Sequence, residues 1–404
     1  MLNFQSLARL RVDISLAPER VDLGDGLYVR NFTHVSQSHG LLGKGALAKS
    51  DASLGDLLTG PTSQDPAFFS LYHQPDQDIL ENQSFRYHLM LDEGVKPRSL
   101  IFLVHGFNER NWAKYFPWAA QLVKRNQAAV LMFPLAFHMS RSPKLWNDPR
   151  AMKKVSLERR KLYPGLLQST LSNVAISLRL HANPARFFWS GLVAYHDLIN
   201  LTQAIRAGRF AELEPDLRID FFTYSIGSLF GEIVFFANEA DLFADSKLIA
   251  FCGGPVFNRL SPVTKFILDS EANVRLYSFL VEHLDSHRRL NPELAKSLSD
   301  ADPVGRHFRC LLNYRVDRLY REERFRFLAK RIFAIALDQD EVVPPYEILG
   351  TLKGAQRDID IPVEIIAPPY PCRHEDPFPA TGPHQAMGEV WLDKVFQLAA
   401  SYLA

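Results

Sequence analysis

The chain has 404 residues, of which 47% are hydrophobic and 23% are charged, and its formal net charge is +1. A chain of this length and composition can bury the core of a large soluble protein. Because the charge is nearly balanced, no overall basic field indicates a nucleic-acid partner. The three cysteines are too few and too scattered for a disulfide framework, so a reducing compartment is expected.

The start of the chain does not resemble a targeting signal. The first residues, M-L-N-F-Q-S-L-A-R-L-R-V, lack the continuous apolar stretch of a signal peptide. No later segment approaches the length and hydrophobicity of a membrane span. We therefore expect a cytoplasmic protein. The sequence does not indicate an oligomeric state.

Residues 1–80 are interpreted as an N-terminal extension. They are rich in Gly, Ser and Asp and have weak periodicity, particularly over Ser36–Ser70. A strand at about Ser84–Leu91 is expected to open the main sheet. The domain that follows would then span residues 81–404.

The next apolar run, S-L-I-F-L-V-H-G-F-N, covers residues 99–108 and predicts a buried strand that ends at His105 and Gly106. Phe107 and Asn108 complete the turn. A further strand is expected at Ala128–Leu135. A helix at about Trp189–Ala207 follows only after a long intervening segment.

The segment Arg218–Gly231 reads R-I-D-F-F-T-Y-S-I-G-S-L-F-G and predicts a strand that stops abruptly at Ser225. Apolar residues at helical spacing follow over Ser228–Asn238. A serine in such a turn exposes its hydroxyl above a helix N-terminus, as in the nucleophile elbow G-x-S-x-G. Gly227 provides the small residue after the serine, whereas Thr223 replaces the usual first glycine. An ordinary strand-to-helix connection is the alternative.

Three more strands are expected downstream, at Lys247–Cys252, Arg331–Leu337 and Pro362–Ala367. The second is followed by two carboxylates, Asp338 and Asp340. The third is followed by a loop that contains His374. A C-terminal helix is expected from about Gln385 to Leu403, with His384 just before it.

These features in this order resemble the α/β-hydrolase superfamily, in its serine-hydrolase branch. The resemblance covers roughly residues 83–137, 187–258 and 330–404. It implies a mostly parallel α/β sheet flanked by helices. It also implies that helical lid segments are inserted at about 136–187 and 256–329, over the carboxyl ends of the strands.

The resemblance also implies a catalytic site. Ser225 matches the nucleophile, and Asp340 matches the acid because Glu341-Val342-Val343-Pro344 follows it directly. His374 has the usual spacing of the base, with His384 as the alternative. The expected oxyanion-hole donors are the backbone N–H groups of Ile226 and of the Phe107 turn. Asn108 either adds a donor or ties the loop down.

Both insertions are locally basic. Part of this charge either faces the cleft and attracts an anionic substrate or forms solvated helix faces. Arg141 and Trp146 are the residues most expected near the site, because they follow closely after the strand that ends at Pro134. Lys144, Arg150, Lys153 and Lys154 complete the group tested for this role.

Two functions remain open at this stage. One is a serine hydrolase that cleaves an ester, thioester or amide of a small molecule, without cofactor or metal, through an acyl-enzyme. The other is a non-catalytic protein that keeps the same scaffold, which Thr223 and the choice between two histidines favour. Haloalkane dehalogenase chemistry is disfavoured because Ser225 stands where an aspartate nucleophile is needed.

Overall fold

A computed structural model of the chain describes residues 19–45 and 65–404. The remaining parts of the expected N-terminal extension, including the start of the chain, lie outside the described residues. The strands, numbered in chain order, are β1 Arg20–Gly24, β2 Leu27–Val35, β3 Ser84–Asp92, β4 Ser99–Val104, β5 Ala129–Phe133, β6 Arg218–Tyr224, β7 Leu248–Phe251, β8 Ile332–Leu337 and β9 Val363–Ile366.

The α-helices of the described residues flank the sheet that these strands form. Several short helices lie between β7 and β8. The α-helices are α1 Pro66–His73, α2 Leu80–Gln83, α3 Tyr115–Asn126, α4 Pro149–Leu162, α5 Val174–Ala182, α6 Arg186–Arg206, α7 Ile226–Ala237, α8 Ser270–Tyr277, α9 Leu284–Leu290, α10 Pro292–Ser297, α11 Pro303–Cys310, α12 Arg318–Leu328, α13 Pro345–Leu352 and α14 Gln385–Leu403.

The strands form one nine-stranded sheet in the order β1-β2-β3-β5-β4-β6-β7-β8-β9. The pairs that involve β1, β2 and β3 are antiparallel, and all pairs from β5 to β9 are parallel. Parallel strands covered by helices on both faces are apolar throughout. Accordingly, every residue of β4 and β8 is buried. This is the α/β class with a mostly parallel, helix-flanked sheet that the sequence predicts.

The two faces of the sheet have separate cores. Alternate residues of β4 enter different clusters: Phe102 packs on one face and Ile101 on the other. Helices α6 and α7 cover the first face, whereas α3 and α14 cover the second. The central strands are therefore held rigidly from both sides, and the loops at their carboxyl ends have a fixed base.

The sequence predicts that the sheet begins with β3, but the structure shows that it begins earlier in the chain. Two strands precede β3, because β1 and β2 form an antiparallel hairpin that continues through β3. The turn Gly24-Asp25-Gly26 has a positive φ at all three residues. Aspartate and glycine tolerate this conformation. At least residues 20–35 of the expected extension are thus part of the sheet.

Both expected insertions contain helices. The segment between β5 and α6 contains α4 and α5, and the segment between β7 and β8 contains α8 to α12. Within the described residues, no helix has the length and apolar character needed to cross a membrane. Cys252, Cys310 and Cys372 are all free and buried.

Candidate active site

Ser225 lies directly between β6 and α7, at the carboxyl end of a central strand. Its backbone has φ 57° and ψ −124°, a conformation that non-glycine residues rarely adopt. The turn is held by two backbone hydrogen bonds: Ser225 N–H donates to Phe251 O at 3.0 Å, and Ser228 N–H donates to Ser225 O at 2.9 Å. The side chain of Ser225 is only partly buried.

The close approach of neighbouring loops explains the glycines around Ser225. A Cβ at Gly227 would lie 2.7 Å from His105 O and 2.9 Å from Val104 O, so a side chain would collide with backbone. A Cβ at Gly106 would lie 2.9 Å from the ring of Tyr224 and 3.5 Å from Ser225 Cβ. Only glycine allows the loop after β4 to pack against the serine turn.

Thr223 departs from the glycine of the motif, and its surroundings accommodate it. Its Oγ1 donates to Ile249 O at 2.8 Å and lies 3.1 Å from Ser228 Oγ. Its methyl group occupies space left by Gly231, where a Cβ would approach Thr223 Cγ2 to 3.0 Å. The threonine is therefore satisfied in the core and does not distort the serine turn.

His374 lies between Ser225 and Asp340. His374 Nε2 is 2.7 Å from Ser225 Oγ, and His374 Nδ1 is 2.7 Å from Asp340 Oδ2. Because a carboxylate oxygen only accepts, Nδ1 carries the proton. In the neutral imidazole, Nε2 is then free to accept the hydrogen of the serine hydroxyl.

Asp340 is buried, and its carboxylate is fully occupied. Oδ1 accepts the backbone N–H groups of Val342 at 2.9 Å and Val343 at 2.8 Å, while Oδ2 faces His374. These hydrogen bonds fix the carboxylate in the orientation in which Oδ2 meets His374. Asp338 is exposed at the end of β8.

The two candidate histidines have different surroundings. His374 is 4% exposed, and its ring stacks on Tyr224 with a centroid distance of 5.4 Å. The backbone oxygen of His374 also accepts the Tyr224 hydroxyl. His384 is exposed at the start of α14, where its ring faces Tyr370. The structure thus brings His374, and not His384, to Ser225.

The side chain of His105 holds the loop after β4 in place through two hydrogen bonds. Its Nδ1 donates to Gly106 O at 2.8 Å, and its Nε2 accepts the Leu135 N–H at 2.9 Å. Burial lowers the pKa of His105 well below its ordinary value, so the ring is neutral. With both nitrogens engaged, His105 shapes the loop.

Asn108 ties the same loop to both insertions. Its side-chain amide donates to Ser172 O at 2.9 Å and to Phe266 O at 2.5 Å. This leaves Asn108 as an anchor rather than a donor to the site. Within the described residues, no acceptor is assigned to the backbone N–H groups of Phe107 and Ile226.

Phe107 lines two cavities that bear on the substrate. The first, called here the apolar pocket, has an empty volume of about 670 Å³ that includes its open part. It is also lined by Ile226, Ala194 and Phe308, and its polar side chains are those of His138, Ser190 and Tyr195. A cavity of this character takes an apolar group.

The second, called here the polar cavity, has an empty volume of about 1000 Å³ that includes open solvent. Both insertions contribute to its wall, as does the segment directly after His374. The residues that line it are Phe107, Asn108, Glu109, Arg110, Asn111, Trp146, Asn147, Pro149, Met152, Leu171, Ser172, Phe266, Ile267, Glu375 and Asp376.

The structure contradicts the expectation that Arg141 faces a substrate. Its side chain is fully buried, and its Nη2 forms an ion pair with Asp197 Oδ2 at 2.9 Å. The guanidinium also lies over the ring of Phe85. Lys144, Arg150, Lys153 and Lys154 are exposed, whereas Trp146 does line the polar cavity.

The described residues contain no group of three or more His, Cys, Asp or Glu side chains arranged to hold a metal ion. Ser225, His374 and Asp340 place a hydroxyl, an imidazole and a carboxylate in one hydrogen-bonded chain.

The chain belongs to the family of unknown function DUF6051, whose model matches residues 26–404. A search of curated proteins found no match. Among solved structures, the chain is similar to carboxyl esterase 2 of Tuber melanosporum (10% identity, TM-score 0.44, covering 80% of this chain and 82% of that one). It is also similar to the Pyrococcus furiosus esterase Pf2001 (12% identity, TM-score 0.40, covering 80% and 86%). A third similar structure is a cold-adapted esterase from an Arctic intertidal metagenomic library (11% identity, TM-score 0.36, covering 94% and 97%).

Proposed function

We propose that this protein is a serine hydrolase of the α/β-hydrolase superfamily that cleaves an ester, thioester or amide through an acyl-enzyme on Ser225. The observation that carries the proposal is the continuous hydrogen-bonded chain from Ser225 Oγ through His374 to Asp340. A serine hydroxyl is a weak nucleophile at neutral pH and needs an adjacent base of this kind.

In the proposed reaction, Ser225 Oγ attacks the carbonyl carbon of the substrate while His374 Nε2 takes the hydroxyl proton. The bond to the leaving group then breaks, and His374 returns the proton to the leaving oxygen, sulfur or nitrogen. Water repeats the cycle: His374 takes its proton, the hydroxide attacks the acyl carbon, and Ser225 leaves with the proton. Asp340 fixes the tautomer of His374 and stabilises the imidazolium.

Negative charge develops on the carbonyl oxygen during both attacks. We assign its stabilisation to the backbone N–H groups of Phe107 and Ile226. Two observations support this assignment: these groups have no assigned acceptor within the described residues, and Gly106 packs against Ser225. One such donor typically contributes about 3 kcal/mol to the stabilisation of the transition state.

The apolar pocket indicates the substrate class. Because Phe107 and Ile226 line both the oxyanion position and this pocket, a bound carbonyl would direct one of its substituents into apolar surroundings. We propose that this substituent is the acyl chain. The two helical insertions would act as a lid, since both of them hold Asn108 and line the polar cavity.

The alternative is a non-catalytic protein on the same scaffold. Thr223 was its main support in the sequence, and this residue is satisfied in the core without disturbing Ser225. No described contact blocks the hydrogen-bonded chain, so the hydrolase is the function that the geometry supports best.

Replacement of the nucleophile tests the proposal. Ser225→Ala should lower the turnover of p-nitrophenyl butyrate by about 10⁴-fold or more while the circular dichroism spectrum stays unchanged. Ser401→Ala, at an exposed serine of α14, is the matched control and should keep wild-type turnover. Wild-type turnover by Ser225→Ala would refute the proposed nucleophile.

A further inference from the structure

The loop after β4 presents a cation that has no counter-ion. Arg110 lines the polar cavity and forms no ion pair with any described residue. One of its terminal nitrogens, Nη2, donates to Asn108 Oδ1 at 2.9 Å. The other, Nη1, is buried and has no hydrogen-bond acceptor within the described residues. A buried guanidinium nitrogen without an acceptor is costly, so a ligand that accepts a hydrogen bond from Nη1 would be stabilised here.

The position of Arg110 is fixed from several sides. Its guanidinium carbon lies 5.2 Å from the ring centroid of Trp146, which is a cation–π contact. Its partner Asn108 is clamped by both insertions. Burial without a neighbouring carboxylate lowers the pKa of Arg110 to about 10, so the group remains charged at neutral pH. A fixed, charged fork of this kind suits a planar anion.

The acidic side chains that line the polar cavity are Glu109, Glu375 and Asp376, and the first two have partners of their own. Glu109 forms an ion pair with Lys114 and accepts the Tyr115 hydroxyl at 3.1 Å. Glu375 accepts the Thr264 hydroxyl at 2.6 Å. Burial raises the pKa of Asp376, which favours its uncharged form. Arg110 is the one Lys or Arg side chain among the described residues that line this cavity.

The polar cavity is lined by residues that lie next to the proposed base in the chain. It meets the apolar pocket at Phe107, and its wall includes Glu375 and Asp376, directly after His374. The base must return a proton to the leaving group, so the leaving group has to lie on the side of His374. If the acyl chain occupies the apolar pocket, the polar cavity receives the other half of the substrate.

We propose that Arg110 binds a carboxylate on the leaving group of the substrate, so that the protein acts on acyl derivatives of carboxylate-bearing alcohols, thiols or amines. This inference rests on the proposed function and adds its substrate class. Arg110 is then a specificity-determining residue for the half of the substrate that departs first.

Two esters with the same acyl chain test the proposal. One is p-nitrophenyl butyrate and the other is m-carboxy-p-nitrophenyl butyrate, which differs by one carboxylate on the leaving group. The measured quantity is the ratio of kcat/KM for the carboxylated ester to that for the neutral ester. In the wild type this ratio should exceed one, and Arg110→Gln should lower it by about tenfold to a hundredfold. Arg110→Lys should give an intermediate ratio, and Arg150→Gln, at an exposed cation, should leave it unchanged.

Product inhibition of the wild type makes the test independent of whether the variants fold. The carboxylated nitrophenol should inhibit butyrate hydrolysis at a concentration at least about tenfold lower than p-nitrophenol does. Equal inhibition by both phenols, or a ratio that Arg110→Gln and Arg150→Gln change equally, would overturn the assignment of Arg110. In either case, Ser225-dependent hydrolysis of the neutral ester would still support the proposed function.

Discussion

The apolar pocket and the polar cavity meet at Phe107 and differ in almost every other respect. The apolar pocket is built largely from α6 and α7, which also form the core of the sheet. The polar cavity is built from loops and from both insertions. The wall of the first is mostly apolar, whereas the wall of the second includes a guanidinium whose Nη1 has no acceptor within the described residues.

This difference separates two kinds of evidence about function. An apolar lining indicates only that an apolar group fits, because such residues also pack a core. A buried charged group that lacks a counter-ion is costly to the folded protein, and our proposal assigns the role of counter-ion to the substrate. The polar cavity therefore gives the more specific information on the chemistry of the substrate. The apolar pocket limits the size of the proposed acyl chain.

The largest expected effect concerns Asp340, which belongs to the proposed catalytic centre that the apolar pocket and the polar cavity share. Asp340→Asn should lower kcat by about 10³ to 10⁴, because the amide no longer fixes the productive tautomer of His374. Turnover should fall by the same factor for the neutral and the carboxylated butyrate, since both use one triad. The exposed Asp338→Asn is the matched control. A fall for only one of the two esters would mean that the regions do not share a catalytic centre.

A medium effect is expected in the apolar pocket. Ala194 is fully buried in its wall, so the larger side chain of Ala194→Leu should shorten the space for the acyl chain. The ratio of kcat/KM for p-nitrophenyl octanoate to that for the acetate should fall about tenfold, as expected for a clash with a few methylene groups. The preference for the carboxylated leaving group should not change.

Phe308→Ala, which enlarges the same pocket, provides the opposite test and should raise the octanoate-to-acetate ratio. Thermal denaturation of both variants checks that folding is retained, since overpacking costs about 1–3 kcal/mol. If either variant altered selectivity for the leaving group rather than for the acyl chain, our assignment of the two regions would have to be reversed.

The smallest effect concerns the pH dependence of the polar cavity. Burial raises the pKa of Asp376 above its ordinary value of 3.8, so the group is neutral below the raised pKa and negatively charged above it. The preference of the wild type for the carboxylated ester should therefore decrease as the pH rises through this pKa, by about two- to fivefold. Glu109, Arg110 and Glu375 line the same cavity, and Lys114 forms an ion pair with Glu109.

In Asp376→Asn this part of the pH dependence should be absent, and the preference should be at its low-pH level throughout. The measurement is the ratio of kcat/KM for the two butyrates across the pH range in which both are hydrolysed. A wild-type ratio that rises with pH would contradict the predicted sign.

The sequence predicts the parallel part of the sheet well, for a physical reason. Each of these strands is buried on both faces, so it appears as a short, continuous apolar run such as Ser99–Val104. The hairpin of β1 and β2 was missed because its apolar residues alternate with polar ones near the edge of the sheet. The alternation of Leu27 and Val29, together with the Asp25-Gly26 turn, was the available signal.

The candidate site is only partly predictable. Ser225 directly follows β6 and Asp340 follows the end of β8 at Leu337 after two residues, so their chain positions place them at the same edge of the sheet. His374 and His384 lie in one long loop whose path the sequence does not determine, and both remained open until the structure placed one of them. Arg110 gives no sequence signal, because its surroundings in the polar cavity depend on segments that are distant in the chain.

The measurement that tests the central claim most directly is covalent labelling by a fluorophosphonate, which reacts only with an activated serine. Intact-mass spectrometry of the folded wild type should find one adduct per chain, peptide mapping should assign it to Ser225, and Ser225→Ala should remain unlabelled. His374→Ala should label far more slowly, because the serine then lacks its base. No adduct on folded wild-type protein, or an adduct on a different serine, would contradict the assignment of this protein as a Ser225 hydrolase.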